Sequence, residues 1–186
     1  MKTRNILIGL ALVLALCSCG AQKTAKKTTS PPTGPLVQTT FFGNKFGDKY
    51  SKVKTRMFKY YPMANKDGSL TILNMTFGGE EWHYTQFHFT EKLFYHINFQ
   101  QEFGNEYRAR EKYNRVRRTL ETKYGYMDPL SDGEEGCKFI DERMNMVILS
   151  TEEGVSKGGA TYWYCTLDYT FAAGAFLSVM STVNEM

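Results

Sequence analysis

The two Trp, twelve Tyr and thirteen Phe of this 186-residue chain all lie after Thr40, the first being Phe41. Any core has to be built from the later part of the chain. Aromatic side chains at that density favour strands and a well-filled interior. Residues 36–186 have the length of one ordinary domain. A chain of that size buries about 70% of its extended surface.

Periodicity within this stretch alternates between helix and strand. Gly47-Asp48 offers a breaker and a capping carboxylate, and Tyr50, Val53, Met57 and Tyr61 then recur at helical spacing until Pro62. After the turn Asn65-Lys66-Asp67-Gly68, three strands are expected over Leu70–Phe77, Trp82–Phe89 and Leu93–Gln100. Gly78-Gly79 and a three-residue loop, Thr90-Glu91-Lys92, join them as an antiparallel meander. That loop sets Phe89 opposite Leu93 and Phe87 opposite Tyr95 on a buried face. It leaves His88 and His96 on the other face as diagonal neighbours, about 7–8 Å apart.

The strongest helix signal runs from Glu106 to Tyr124. Asn105 caps it, Gly125 ends it, and Ala109, Tyr113, Val116 and Leu120 form its inward stripe. Seven cations against Glu106, Glu111 and Glu121 give it a charge of +4. That face suits either solvent or an anionic partner. Cys137–Ile140, Met146–Ser150 and Tyr162–Tyr169 follow as strands, and Phe171–Met186 as a short final helix. The expected fold is α+β: antiparallel sheet with two helices on one face, in the order αβββ-αβββ.

The first 35 residues have a different character. Lys2 and Arg4 precede an apolar run from Ile6 to Leu16, and small residues and cysteines follow. This is the layout of a cleaved secretory signal, and the run is too short for the roughly 20 residues of a spanning helix. Gly20–Pro35, GAQKTAKKTTSPPTGP, has no large apolar residue and reads as a flexible tether. Lys2, Arg4, Lys23, Lys26 and Lys27 are the cations before Leu36, and no acid precedes it. Removing these five takes the formal charge from +4 to −1 for residues 36–186. The folded part therefore lacks the basic excess of a nucleic-acid-binding domain.

Leu16-Cys17-Ser18-Cys19 resembles the lipobox of bacterial lipoproteins. The resemblance implies cleavage after Ser18, lipid on Cys19, and attachment to a membrane through that lipid. With Gly20 and not aspartate after the cysteine, it implies the outer membrane, facing the periplasm. Residues 1–18 are then signal, 19–35 anchor and tether, and 36–186 the domain. The order of elements behind such a signal resembles tandem helix-plus-meander scaffolds of the BLIP/BamE-like type, and is similar to small envelope lipoproteins of Bacteroidetes. Those scaffolds bind partners.

Motifs for chemistry are sparse. There is no GxSxG, no HExxH, no EF-hand spacing and no phosphate loop, so no catalytic residue, metal ligand or cofactor is assigned from sequence. Cys137 and Cys165 remain after processing, and an oxidising compartment makes a disulfide between them the expectation. The expected role is a non-catalytic binding module with an envelope protein or glycan as partner and no nucleic acid. Trp82, Tyr84, His88 and His96 form the candidate surface, because they alternate onto one sheet face. The alternative is an envelope hydrolase or metal-dependent enzyme whose site assembles only in three dimensions.

Overall fold

In the computed structural model the chain divides into two units, Met1–Pro31 and Pro32–Met186. The residues described are 34–131, 135–156 and 158–172. The expected signal, most of the expected tether, residues 132–134 and nearly all of the expected C-terminal helix lie outside them. Among the described residues no helix is long and apolar enough to cross a membrane.

The domain is α+β. A short hairpin, β1 (Thr40–Phe41) and β2 (Asn44–Lys45), precedes α1 (Tyr50–Met57) and a 3₁₀ turn (Phe58–Tyr60). The strands β3 (Met63–Ala64), β4 (Leu70–Phe77), β5 (Glu80–Thr90) and β6 (Leu93–Phe103) follow. Then come α2 (Glu106–Tyr124), β7 (Asp128–Pro129), β8 (Gly136–Ile140), β9 (Met146–Val155) and β10 (Thr161–Thr170). The last eight strands form one antiparallel sheet in the order β3-β4-β5-β6-β10-β9-β8-β7. Each helix is followed by four strands, not three, because two-residue edge strands too short to show a sequence period cap the sheet at either side. The two meanders meet where β6 pairs with β10.

α2 starts where Asn105 accepts a hydrogen bond from the Arg108 amide, 3.0 Å, and ends at Gly125. Its stripe of Ala109, Tyr113, Val116, Leu120 and Tyr124 packs against β6, β9 and β10. The matching sheet rows are Leu70–Phe87–Ile97–Tyr169–Val147 and Ile72–Thr85–Phe99–Leu167–Leu149–Cys137. Members of a row share a face because cross-strand partners point the same way. Phe99 is the hub: Phe77 stacks on it at 4.3 Å, and Phe41, Phe42, Trp82 and Tyr169 lie within 6.5 Å.

Phe41, fully buried, arrives from the opening hairpin. The segment before it is also fixed. The Val37 amide donates to Asp141 Oδ2, 3.0 Å, and the Gln38 amide to the Tyr124 hydroxyl, 3.2 Å. On β8 itself Gly136 allows close approach, since a Cβ there would meet the Leu149 carbonyl at 2.6 Å.

Several local expectations are corrected. The loop between β5 and β6 is a two-residue turn, Glu91-Lys92, with both residues at positive φ, as type I′ geometry requires. Backbone bonds from α1's entry hold it: Tyr50 donates to Lys92, and Phe94 to Asp48. With the bulge at His88/Phe89, the pairs become Phe89 with Phe94 and Phe87 with Ile97. α1 stops at Met57, and Tyr61, expected to face inward, is 86% exposed with φ 54°.

The disulfide is also corrected. Cys137 and Cys165 are free, buried thiols on β8 and β10, with β9 between them. Two strand spacings of about 4.8 Å put their Cα atoms about 10 Å apart, beyond the roughly 7 Å that a disulfide spans. Burial pushes the Cys165 thiol up to about 12 and raises that of Cys137. The native protein should therefore resist alkylation at neutral pH. In denaturant, without reductant, both thiols should react, as peptide mass spectrometry would show; protection persisting there would mean a covalent bridge.

Candidate functional site

Two arrangements bring chemistry-bearing residues together. The first is a cavity of about 250 Å³ between α2 and the sheet. Val116 and Leu120, one turn apart, form its helical wall, and Phe77, Trp82, Leu167 and Tyr169 form its sheet wall. Trp82 enters this wall through a slip in alternation. Asn74 adopts φ 53°, and the buried positions become Ile72 and Met75 on β4, and Trp82 and Thr85 on β5, each three apart and not two. The indole N–H donates to the Phe77 carbonyl, 3.2 Å, which fixes the ring. The Lys112 ammonium lies over it at 4.0 Å, donates to the Glu81 carbonyl and sits 3.6 Å from Glu80.

The cavity's rim is polar. Lys123 donates to Gln38 Oε1, 2.6 Å, and Glu80 accepts from Arg115 at 3.0 Å. Burial lowers the Lys112 pKa, with the Glu80 charge opposing. Burial works against ionised Glu80 too, but the Arg115 bond and the Lys112 charge hold its carboxyl below the usual range. An aromatic, mostly apolar hollow with a few fixed polar groups at its edge is the usual form of a small-molecule site.

The second arrangement lies on the opposite sheet face. The row Thr71–Gln86–Asn98–Asp168 alternates with the core rows. Asp168 Oδ1 accepts from Asn98 Nδ2, 2.9 Å, and meets His96 Nε2 at 2.7 Å. His88 is directly opposite His96, not diagonal, and the rings stack at 4.7 Å. Nearby, Asp67 accepts from the Ser69 amide and hydroxyl, and Asn65 donates to Ser69 and Thr71. Burial, then the neighbouring His96 charge, pushes the His88 pKa from 6.5 to about 4. His88 is therefore neutral at neutral pH. Asp168 occupies Nε2 of His96, so Nδ1 is the ring nitrogen left for another partner.

Of the four residues expected to share a binding surface, Tyr84, His88 and His96 stay off the core, with Tyr84 37% exposed. Trp82 is corrected to the core at 1% exposure; the left-handed Asn74 that flips the alternation has no sequence signal beyond asparagine's tolerance for that conformation. His83 lies apart, against Gln101 at 2.9 Å. Among the described residues no group of three or more His, Cys, Asp or Glu is arranged to hold a metal ion. The cavity has no single-sequence signature, since its lining comes from Gln38 to Tyr169.

The histidine pair has a pH consequence. A folded pKa of about 4 against 6.5 means that the unfolded chain binds the extra proton first. Stability is then full above pH 6.5 and falls as pH drops towards 4, by up to about 3 kcal/mol. His88→Gln should flatten urea-derived stability across that window, with the Asp67 carboxyl, held low by its Ser69 bonds, contributing only at still lower pH.

No family model matches the chain, and neither does any curated protein or solved structure.

Proposed function

We propose that the chain is a membrane-tethered, non-catalytic binding protein of the bacterial envelope, anchored through Cys19, whose domain holds a small, largely apolar ligand under α2. The observation that carries the ligand reading is the aromatic cavity bounded by Phe77, Trp82, Val116, Leu120, Leu167 and Tyr169, and the lipobox-like Leu16-Cys17-Ser18-Cys19 supports the anchor. Its volume, about 250 Å³, exceeds the roughly 150 Å³ apolar cavity that takes benzene. Ligands of naphthalene or medium-chain acyl size are the fitting class. The resemblance to tandem helix-plus-meander scaffolds belongs to the same reading. Two antiparallel meanders, each preceded by a helix and joined at β6 and β10, support it.

Titration with an environment-sensitive naphthalene dye tests the cavity. The parent chain should enhance its fluorescence saturably, and Val116→Trp, which fills the hollow from the helix, should abolish the effect while the thermal melt stays cooperative. Equal dye binding by parent and variant would place the dye elsewhere and remove the support. The hydrolase alternative rests on the His96–Asp168 pair. It requires a turnover that His96→Gln abolishes and Val116→Trp spares.

A further inference from the structure

The corner formed by α1, the 3₁₀ turn and β3 combines two properties on the described surface. The first is exposed aromatic surface in sequence: Phe58 is 74% exposed, Tyr61 86%, Met63 47% and Tyr60 37%. Tyr61 is held outward at φ 54°, a left-handed conformation that a bulky L residue adopts only at a cost. Burial explains none of these four side chains, and single-residue scatter does not explain a run of them.

The second property is charge. From Lys49 to Lys66 the chain carries Lys49, Lys52, Lys54, Arg56, Lys59 and Lys66, and no Asp or Glu. Lys52 and Arg56 are engaged with Asp48. Lys54 and Lys59 lie instead over the rings of Tyr50 and Tyr60, at 5.9 and 4.9 Å. α2, the more basic element by sequence, differs. Arg110 pairs with Glu106 and Glu135, Lys112 and Arg115 with Glu80, and Arg117 with Glu121; Lys123 donates to the neutral Gln38, and Arg108 and Arg118 are in none of these pairs. Four of α2's seven cations are thus in ion pairs, whereas Lys49, Lys54, Lys59 and Lys66 are in none among the described residues and share one run of the chain with the exposed aromatics.

Aromatic side chains flanked by lysines are the composition of a membrane–water interface, where rings sit at headgroup depth and cations meet anionic lipid. We infer that the α1–β3 corner docks on an anionic lipid surface, with Phe58, Tyr61 and Met63 entering the headgroup layer and Lys54, Lys59 and Lys66 facing lipid phosphates. The docking is a property of the folded domain. It rests neither on lipid at Cys19 nor on the cavity under α2. It would turn one edge of the sheet, the β3 side, towards the bilayer.

The test uses the full chain with Phe58→Trp, and vesicles of phosphatidylcholine alone or mixed with phosphatidylglycerol, each containing brominated acyl chains. Quenching of the new tryptophan is read against the parent chain, which carries the native Trp82 and Trp163. Tyr126→Trp is the control: Tyr126 is 73% exposed and adjoins β7, at the other edge of the sheet. The expected result is quenching at position 58 on anionic vesicles, lost in high salt and absent at position 126. Adding Lys54→Ala and Lys59→Ala should weaken it on the order of tenfold. Four results would overturn the inference: no quenching at 58, equal quenching at 126, equal quenching on phosphatidylcholine alone, or a concentration-dependent spectral shift at 58 without vesicles. The last would make the corner a protein contact.

Discussion

Replacing Phe99 with alanine should lower the unfolding free energy by about 3–5 kcal/mol, the range for deleting a buried ring. Phe99 is fully buried at the centre of the sheet. It stacks on Phe77 and touches rings from the opening hairpin, β5 and β10. The loss removes both transfer energy and contacts that a rigid interior cannot re-form. Domains of this kind have about 5–15 kcal/mol in total, so Phe99→Ala should move the urea midpoint sharply. Phe99→Leu, which leaves a smaller void, should cost clearly less. A small effect of Phe99→Ala would mean that Phe41 or Phe77 swings in to fill the gap.

The second large effect is expected at Lys112. Its ammonium is almost fully enclosed between the Trp82 ring, the Glu81 carbonyl and Glu80. Lys112→Ala uncovers the indole, unpairs the carbonyl and leaves Glu80 with Arg115 alone. Together these should cost about 3 kcal/mol. Lys112→Met keeps the length of the stem and most of its packing, and should cost about 1–3 kcal/mol for the acceptor left unpaired. Denaturation of the two variants side by side separates the stem from the charge. If Met matched the parent, the burial cost that lowers the Lys112 pKa would be cancelling its bonds.

What could be read from sequence depended on whether a single element carried the signal. α2 was legible because Asn105, Gly125 and a regular apolar stripe all lie within it. The strands β4, β5 and β6 were legible from alternation, and the coarse α+β class followed. The failures were all relational. Trp82 moved to the core because one left-handed residue on β4 shifted alternation on two strands. The histidines came face to face because a two-residue turn and then a bulge at His88/Phe89 each moved the register by one residue. The cysteines stayed apart because β9 runs between their strands. Phe41 gave no strand period from a two-residue strand, yet it fills the core. The charge at α1 was visible as composition, but which of its cations lacked acidic partners emerged only from the ion pairs.

The meeting of β6 and β10 at the middle of the sheet also governs how the chain folds. Residues 96–103 must wait for residues 163–170, and Tyr169 then closes over Phe41 from the start of the domain. Each half-sheet has only local hairpins to hold it until that late, distant strand arrives. High mean sequence separation between touching residues slows folding to the range of milliseconds to seconds. It also places the rate-limiting step at the centre and not the edges. Substitutions along the β6–β10 seam should therefore slow refolding, whereas those in the β4–β5 hairpin should chiefly speed unfolding. Until β10 is available, the β6 edge of the first meander stays unpaired.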